Sequence, residues 1–170
     1  MKDFIELPKK LEKDNVYLTA GAAYINAPYD KTVYSRMETI LLYAFEGMGS
    51  IANPQLSGSK ADHIYELRSY EGHTEKIYQN KVEMFNKGGE VSLFKRLGFN
   101  AVFYSEVIAG SRMPNLMYMT SFDNMKEREA HWQAFRDDSQ WKKLSADPHY
   151  QHNVVKSDII LMHAAEYSDL

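Results

Sequence analysis

Cysteine is absent from all 170 residues, which removes disulfides, thiolate metal sites and cysteine nucleophiles together. That composition fits a reducing compartment. A basic excess is missing as well: 20 Lys and Arg stand against 23 Asp and Glu, for a net charge of −3. A dedicated nucleic-acid binder carries a basic face, so nucleic acid is not an expected partner. Apolar runs are short, such as Ile159-Ile160-Leu161-Met162, far below what a bilayer span requires. No Lys/Arg run adjoins an apolar helix, and membrane-surface docking has no support. The opening MKDFIELPKKLEKD alternates charged and apolar residues and lacks the apolar core of a signal peptide. The expectation is a soluble, cytoplasmic chain without membrane insertion. No Gly-x-Ser-x-Gly elbow or phosphate-binding loop is present, and Gly88-Gly89 reads as a helix stop.

What is present is ample core material, with 44% hydrophobic and 13% aromatic residues. Residues 1–13 place Phe4, Leu7 and Leu11 at helical spacing, with Pro8 expected to shorten or bend the helix. Residues 32–45, rich in β-branched and aromatic residues, read as a strand. Gly47–Lys60 has the Gly, Ser and Pro content of a linker. From Ala61 a continuous unit begins. His63–Tyr70 alternates as a strand, and Thr74–Phe85 reads as a helix burying Ile77, Val82 and Phe85. Val91–Leu97 reads as a second helical segment, followed by strands at Phe99–Ala109 and Leu116–Phe122. Met125–Arg136 reads as a helix that ends in a loop and a tryptophan-marked turn, and Lys156–Ala165 as the last strand. The order β-α-β-β-α-β predicts an α+β, ferredoxin-like unit with sheet order 4-1-3-2. One sheet face would be bare, which points to dimerisation or a ligand cavity.

The N-terminal segment echoes the end of this unit at an offset of 124. Leu11, Asp14 and Tyr17 align with Phe135, Asp138 and Trp141, and after a shorter loop, at an offset of 120, Glu38–Ala44 aligns with Asp158–Ala164. The ordered succession of helix, aromatic-marked loop and apolar strand reads as a degenerate repeat. The expected organisation is therefore a repeat remnant at 1–46, a linker at 47–60 and a complete unit at 61–170. The chain would be the C-terminal part of a tandem, and 32–45 would lie along the Phe99–Ala109 edge, which is otherwise exposed.

YELRSY (Tyr65–Tyr70), the Leu97-Gly98 turn, PNLMYMTSFD (Pro114–Asp123) and REAHWQAFRDDSQWKKL (Arg128–Leu144) resemble the NIPSNAP family. The resemblance covers Asp62 to the C-terminus. It implies a dimeric α/β-barrel built from two ferredoxin-like units, and no general reaction, so whether the protein is an enzyme stays open. The wider barrel superfamily includes cofactor-free monooxygenases and haem-degrading enzymes, an analogy of fold only.

The expected function is thus a small-molecule-binding or interaction protein using the barrel cavity. The alternatives are a cofactor-independent monooxygenase or haem-handling enzyme, and a structural assembly role. Partners would be a second copy or higher oligomer and a small ligand. Glu66 and Arg68 share a strand face with Tyr70, offering a carboxylate and a guanidinium to an acidic substrate, or a structural ion pair. Tyr104, Glu106 and Tyr118 are read as further polar groups of the same cavity, with core packing as the bland alternative. Arg128 and His131 are expected to face water or the helix edge, and Trp132 and Phe135 to pack on the sheet. His149-x-x-His152 lacks a clear set of further ligands, so no metal site is assigned. No cofactor is expected; His163 is the candidate ligand should haem bind.

Overall fold

Charge alternation at the N-terminus does produce a helix. α1 spans Lys2–Leu11 and buries no residue. It runs through Pro8 instead of stopping there, because the missing donor falls opposite Phe4 near the helix start, where one lost bond is tolerated. The computed structural model describes residues 2–170, so Met1 lies outside the described residues. α2 (Asn15–Ala20) is capped by Asp14, whose carboxylate accepts from the backbone N–H groups of Val16 and Tyr17. α3 follows at Ala22–Ile25. The chain then divides: a first compact unit ends at Glu38 and a second runs Thr39–Leu170.

The second unit opens with β1, Leu41–Ala44. The strand expected over 32–45 is therefore only four residues long. The register explains this, since Leu41 already faces Ala109, the last residue of its partner strand, so earlier positions have no ladder to join. β2 (Ile64–Glu71), α4 (Glu75–Asn86), α5 (Glu90–Arg96), β3 (Asn100–Ala109), β4 (Asn115–Phe122), α6 (Met125–Asp137), α7 (Ser139–Ser145) and β5 (Lys156–Met162) complete the unit. The tryptophan-marked segment is thus a helix and not a turn. Asp138 leaves helical geometry and caps α7 by accepting from Gln140 and Trp141 N–H groups, which restarts the helix at once.

All strand pairs are antiparallel, in the order β1-β3-β4-β2-β5. Counted from β2, the last four strands stand in the expected 4-1-3-2 order, and β1 adds a fifth strand along β3. Between α4 and α5, Gly89 adopts φ 86°, a left-handed conformation that a side chain resists. A Cβ at Gly88 would come within 2.5 Å of the Met84 carbonyl oxygen. The sharp helix-to-helix turn therefore depends on both glycines.

The helices of the second unit cover one sheet face, and an aromatic core fills the space between. Phe94 lies at its centre, fully buried, stacked on Phe135 at 4.8 Å and edge-on to Phe99 at 4.8 Å and Trp132 at 5.8 Å. Tyr104 and Tyr118 approach it from the sheet at 6.0 and 5.8 Å. Such rings gain both area burial and favourable edge-to-face geometry. Phe94→Ala should therefore destabilise the protein by about 3–5 kcal/mol, read as a lower urea midpoint at unchanged slope.

Candidate functional site

Alternation along β2 sends Glu66, Arg68 and Tyr70 to one face and Tyr65, Leu67 and Ser69 to the other. The structure settles which face meets the helices. Glu66 is fully buried and accepts from Arg68 Nε at 2.5 Å, Arg128 Nε at 2.5 Å and Trp132 Nε1 at 2.9 Å. Arg68 also stacks its guanidinium 3.7 Å above the Trp132 ring. The Glu66 face is therefore the helix-covered face and not the bare one. Arg128 does not face water: α6 turns it inward because the buried carboxylate on β2 needs its charge. His131, expected beside it, rests edge-on against Phe99 at 5.5 Å.

The network continues along the sheet. Arg68 Nη1 donates to Tyr70 Oη at 3.0 Å, and the Tyr70 and Tyr118 hydroxyls lie 2.9 Å apart. Burial alone would lower the Arg68 pKa, but the Tyr118 and Tyr70 hydroxyls and Glu66 outweigh it, and the pKa is raised. Burial pushes the Tyr118 phenol well above its ordinary value, with a smaller contribution from Tyr70. Tyr104 stacks on Tyr118 at 5.6 Å, and burial, then Glu90, raises its phenol too.

Glu106 stands apart from this network. Its Oε2 accepts from Tyr78 Oη at 3.0 Å and Gln79 Nε2 at 3.1 Å, both on α4. It lies in a cleft of about 700 Å³ between β1, the turn after it and α4. His163 is elsewhere again, exposed, with Nδ1 3.0 Å from the His63 carbonyl oxygen. His149 lies against Glu83 at 3.3 Å. Among the described residues no cluster of three or more His, Cys, Asp or Glu is placed to hold a metal ion.

Sequence reasoning missed a second buried ion pair. Lys81 and Glu90 are both buried, 2.9 Å apart, with the ammonium 4.7 Å from the Phe85 ring centre. A signal was available: Lys81 occupies the apolar stripe itself, one helical turn from both Ile77 and Phe85. Tyr43 was missed as well. It pairs across strands with Glu106 and is 65% exposed on the cleft rim.

A four-stranded 4-1-3-2 antiparallel sheet with helices on one face defines a ferredoxin-like βαββαβ unit. The NIPSNAP family model matches residues 65–169, and the chain belongs to the NIPSNAP family. Among solved structures, a NIPSNAP family protein from Agrobacterium tumefaciens is 17% identical with a TM-score of 0.56, covering 64% of this chain and 98% of its own. A NIPSNAP-like domain protein from Burkholderia xenovorans is 11% identical with a TM-score of 0.57, covering 64% and 90%. A putative monooxygenase from Fusobacterium nucleatum is 9% identical with a TM-score of 0.53, covering 86% of this chain and 58% of its own. At these identities the likeness is one of fold. No curated protein matches the chain.

Glu66→Gln would leave the largely buried Arg68 guanidinium without its counter-ion and Arg128 with only the exposed Glu129, and a loss of about 3–5 kcal/mol is expected in urea unfolding. The raised phenols make a separate prediction. Tyr118, Tyr104 and Tyr78 keep their protons in the folded protein beyond the ordinary value of 10.0, where the unfolded chain releases them. The unfolded state then binds fewer protons, so stability falls as pH rises above about 10. The urea midpoint should drop between about pH 9 and pH 11, and less steeply in Tyr118→Phe.

Proposed function

We propose that the protein is a small-molecule-binding member of its family that self-associates through the bare face of its sheet, enclosing a chamber between two sheets. The carrying observation is the contrast between the faces. One is sealed by α4–α7; on the other Tyr65, Val107 and Met117 are buried, whereas Leu42, Leu67, Phe103, Met119 and Met162 stay half-buried and Ile160 is exposed. The small polar groups among them are already satisfied locally: Asn115 Nδ2 donates to Ser69 Oγ at 2.8 Å, and Ser105 Oγ to the Met117 carbonyl at 3.0 Å. An apolar patch with its polar groups spoken for suits a closed symmetric interface.

Residues 1–46 we read as the end of a preceding unit of the same kind, with 47–60 as linker and 61–170 as a complete unit. The matched caps support this: Asp14 and Asp138 each accept from the second and third following N–H groups. The placement of β1 on the β3 edge supports it too, as does the alignment with the longer Fusobacterium chain, which extends over 86% of this one. No described helix is long and apolar enough to cross a membrane. The cysteine-free composition favours a reducing compartment, which we take to be the cytoplasm.

Native mass spectrometry of the full chain purified from its own host tests the reading. A dimer or higher oligomer carrying a retained small molecule is expected. Met119→Lys should shift the mass to monomer with an unchanged circular dichroism spectrum. A wild type that is strictly monomeric and ligand-free, or an oligomer indifferent to that charge, would overturn the proposal.

A further inference from the structure

The bare sheet face is not the only place where a ligand fits. The cleft between β1 and α4 has a volume of about 700 Å³, within the roughly 300–1,000 Å³ of small-molecule sites. Its walls come from Tyr43 and Glu46 on one side, Gln79 and Glu83 on the other, with Glu106 and His149 between.

Glu106 is the informative group. Its Oε2 takes hydrogen bonds from two neutral donors, the Tyr78 hydroxyl and the Gln79 amide. Among the described residues no lysine or arginine pairs with it, and its Oε1 accepts no hydrogen bond. The half-buried Glu106 is therefore held in position without a direct ion pair among the described residues. Arrangements elsewhere in the unit differ: Glu66 has two guanidiniums and Glu90 an ammonium. Burial, then Glu106 itself, raises the Tyr78 phenol, which keeps that hydroxyl a donor to the carboxylate.

The second observation is the register of β1. Tyr43 stands directly opposite Glu106 in the β1–β3 ladder. Cross-strand partners bring their Cβ atoms within about 4.5–5.5 Å on one sheet face. An aromatic residue and a carboxylate thus stand side by side on the cleft lining, and Tyr43 is 65% exposed. A negative charge beside an uncovered aromatic face is the chemistry that recognises an organic cation, through ion pairing and cation–π attraction.

We propose that this cleft binds a small organic cation, an alkylammonium or quaternary ammonium compound, with Glu106 supplying the counter-charge and Tyr43 the aromatic face. The side chains of Lys76 and Lys87 line the same cleft without entering any ion pair among the described residues. With Glu46, Glu83 and Glu106 on the same lining, three carboxylates stand against these two ammoniums. The site lies on the helix side of the sheet, so it operates in a single copy and does not depend on self-association.

The test is calorimetric titration of the full chain with choline and with 3,3-dimethylbutan-1-ol, its neutral carbon isostere. Choline should bind about tenfold or more tightly than the alcohol. Glu106→Gln should lose about tenfold in choline affinity while leaving weak binding of the alcohol unchanged, and Tyr43→Ala about fivefold. Both variants should keep the wild-type urea midpoint, which separates a lost site from a lost fold. The proposal is overturned if the alcohol binds as well as choline, if Glu106→Gln titrates like wild type, or if choline gives no heat and tetramethylammonium and methylamine give none either.

Discussion

The carboxylate of Glu66 is the constraint to which the second unit is fitted. A charge taken fully out of water must be matched, and here β2, which carries it, also supplies Arg68, while α6 supplies Arg128 and Trp132. Those bonds set the height and rotation of α6 over the sheet. With α6 placed, Trp132 and Phe135 can close around Phe94, and Phe94 in turn positions α5 against Tyr104 and Tyr118. Apolar packing alone would tolerate small shifts of a helix over a sheet. A carboxylate with three directed donors does not.

A second buried pair does similar work at the other helix turn. Lys81 on α4 and Glu90 at the start of α5 meet across the Gly88-Gly89 corner. The left-handed glycine bends the chain, and the ion pair fixes how far it bends. Tyr70 lies between the two networks, bonded to Arg68 on one side and 5.8 Å from the Lys81 ammonium on the other. The polar interior is thus a connected line running beneath the helices, and each member has a partner on a different element.

Most of the architecture was legible in the residues because period-two and period-3.6 patterns are local. β2, β3, β4 and the two long helices fall within a residue or so of the expected bounds. Sheet order followed from the element order. What alternation does not carry is the side of the sheet that helices choose, so Glu66, Arg68 and Tyr70 were correctly grouped but not placed. The inward turn of Arg128 depends on a residue 62 positions away, a relation no local pattern encodes. The shortness of β1 likewise depends on where β3 ends. Glu106 separated from the other candidates because β3 is long enough to leave the core before its last residues, and Tyr43 became visible only once its opposite number was known.

Glu106 is anchored through one of its two oxygens. Two donors on α4 already hold its Oε2, which narrows the rotamers open to the side chain. A molecule arriving at the remaining oxygen meets an acceptor fixed in advance, and the interaction is not diminished by the cost of ordering it. The rigidity that α4 lends to a single carboxylate is therefore a form of stored selectivity. It favours a compact charge of the right reach over a floppy one, before any contact has been made.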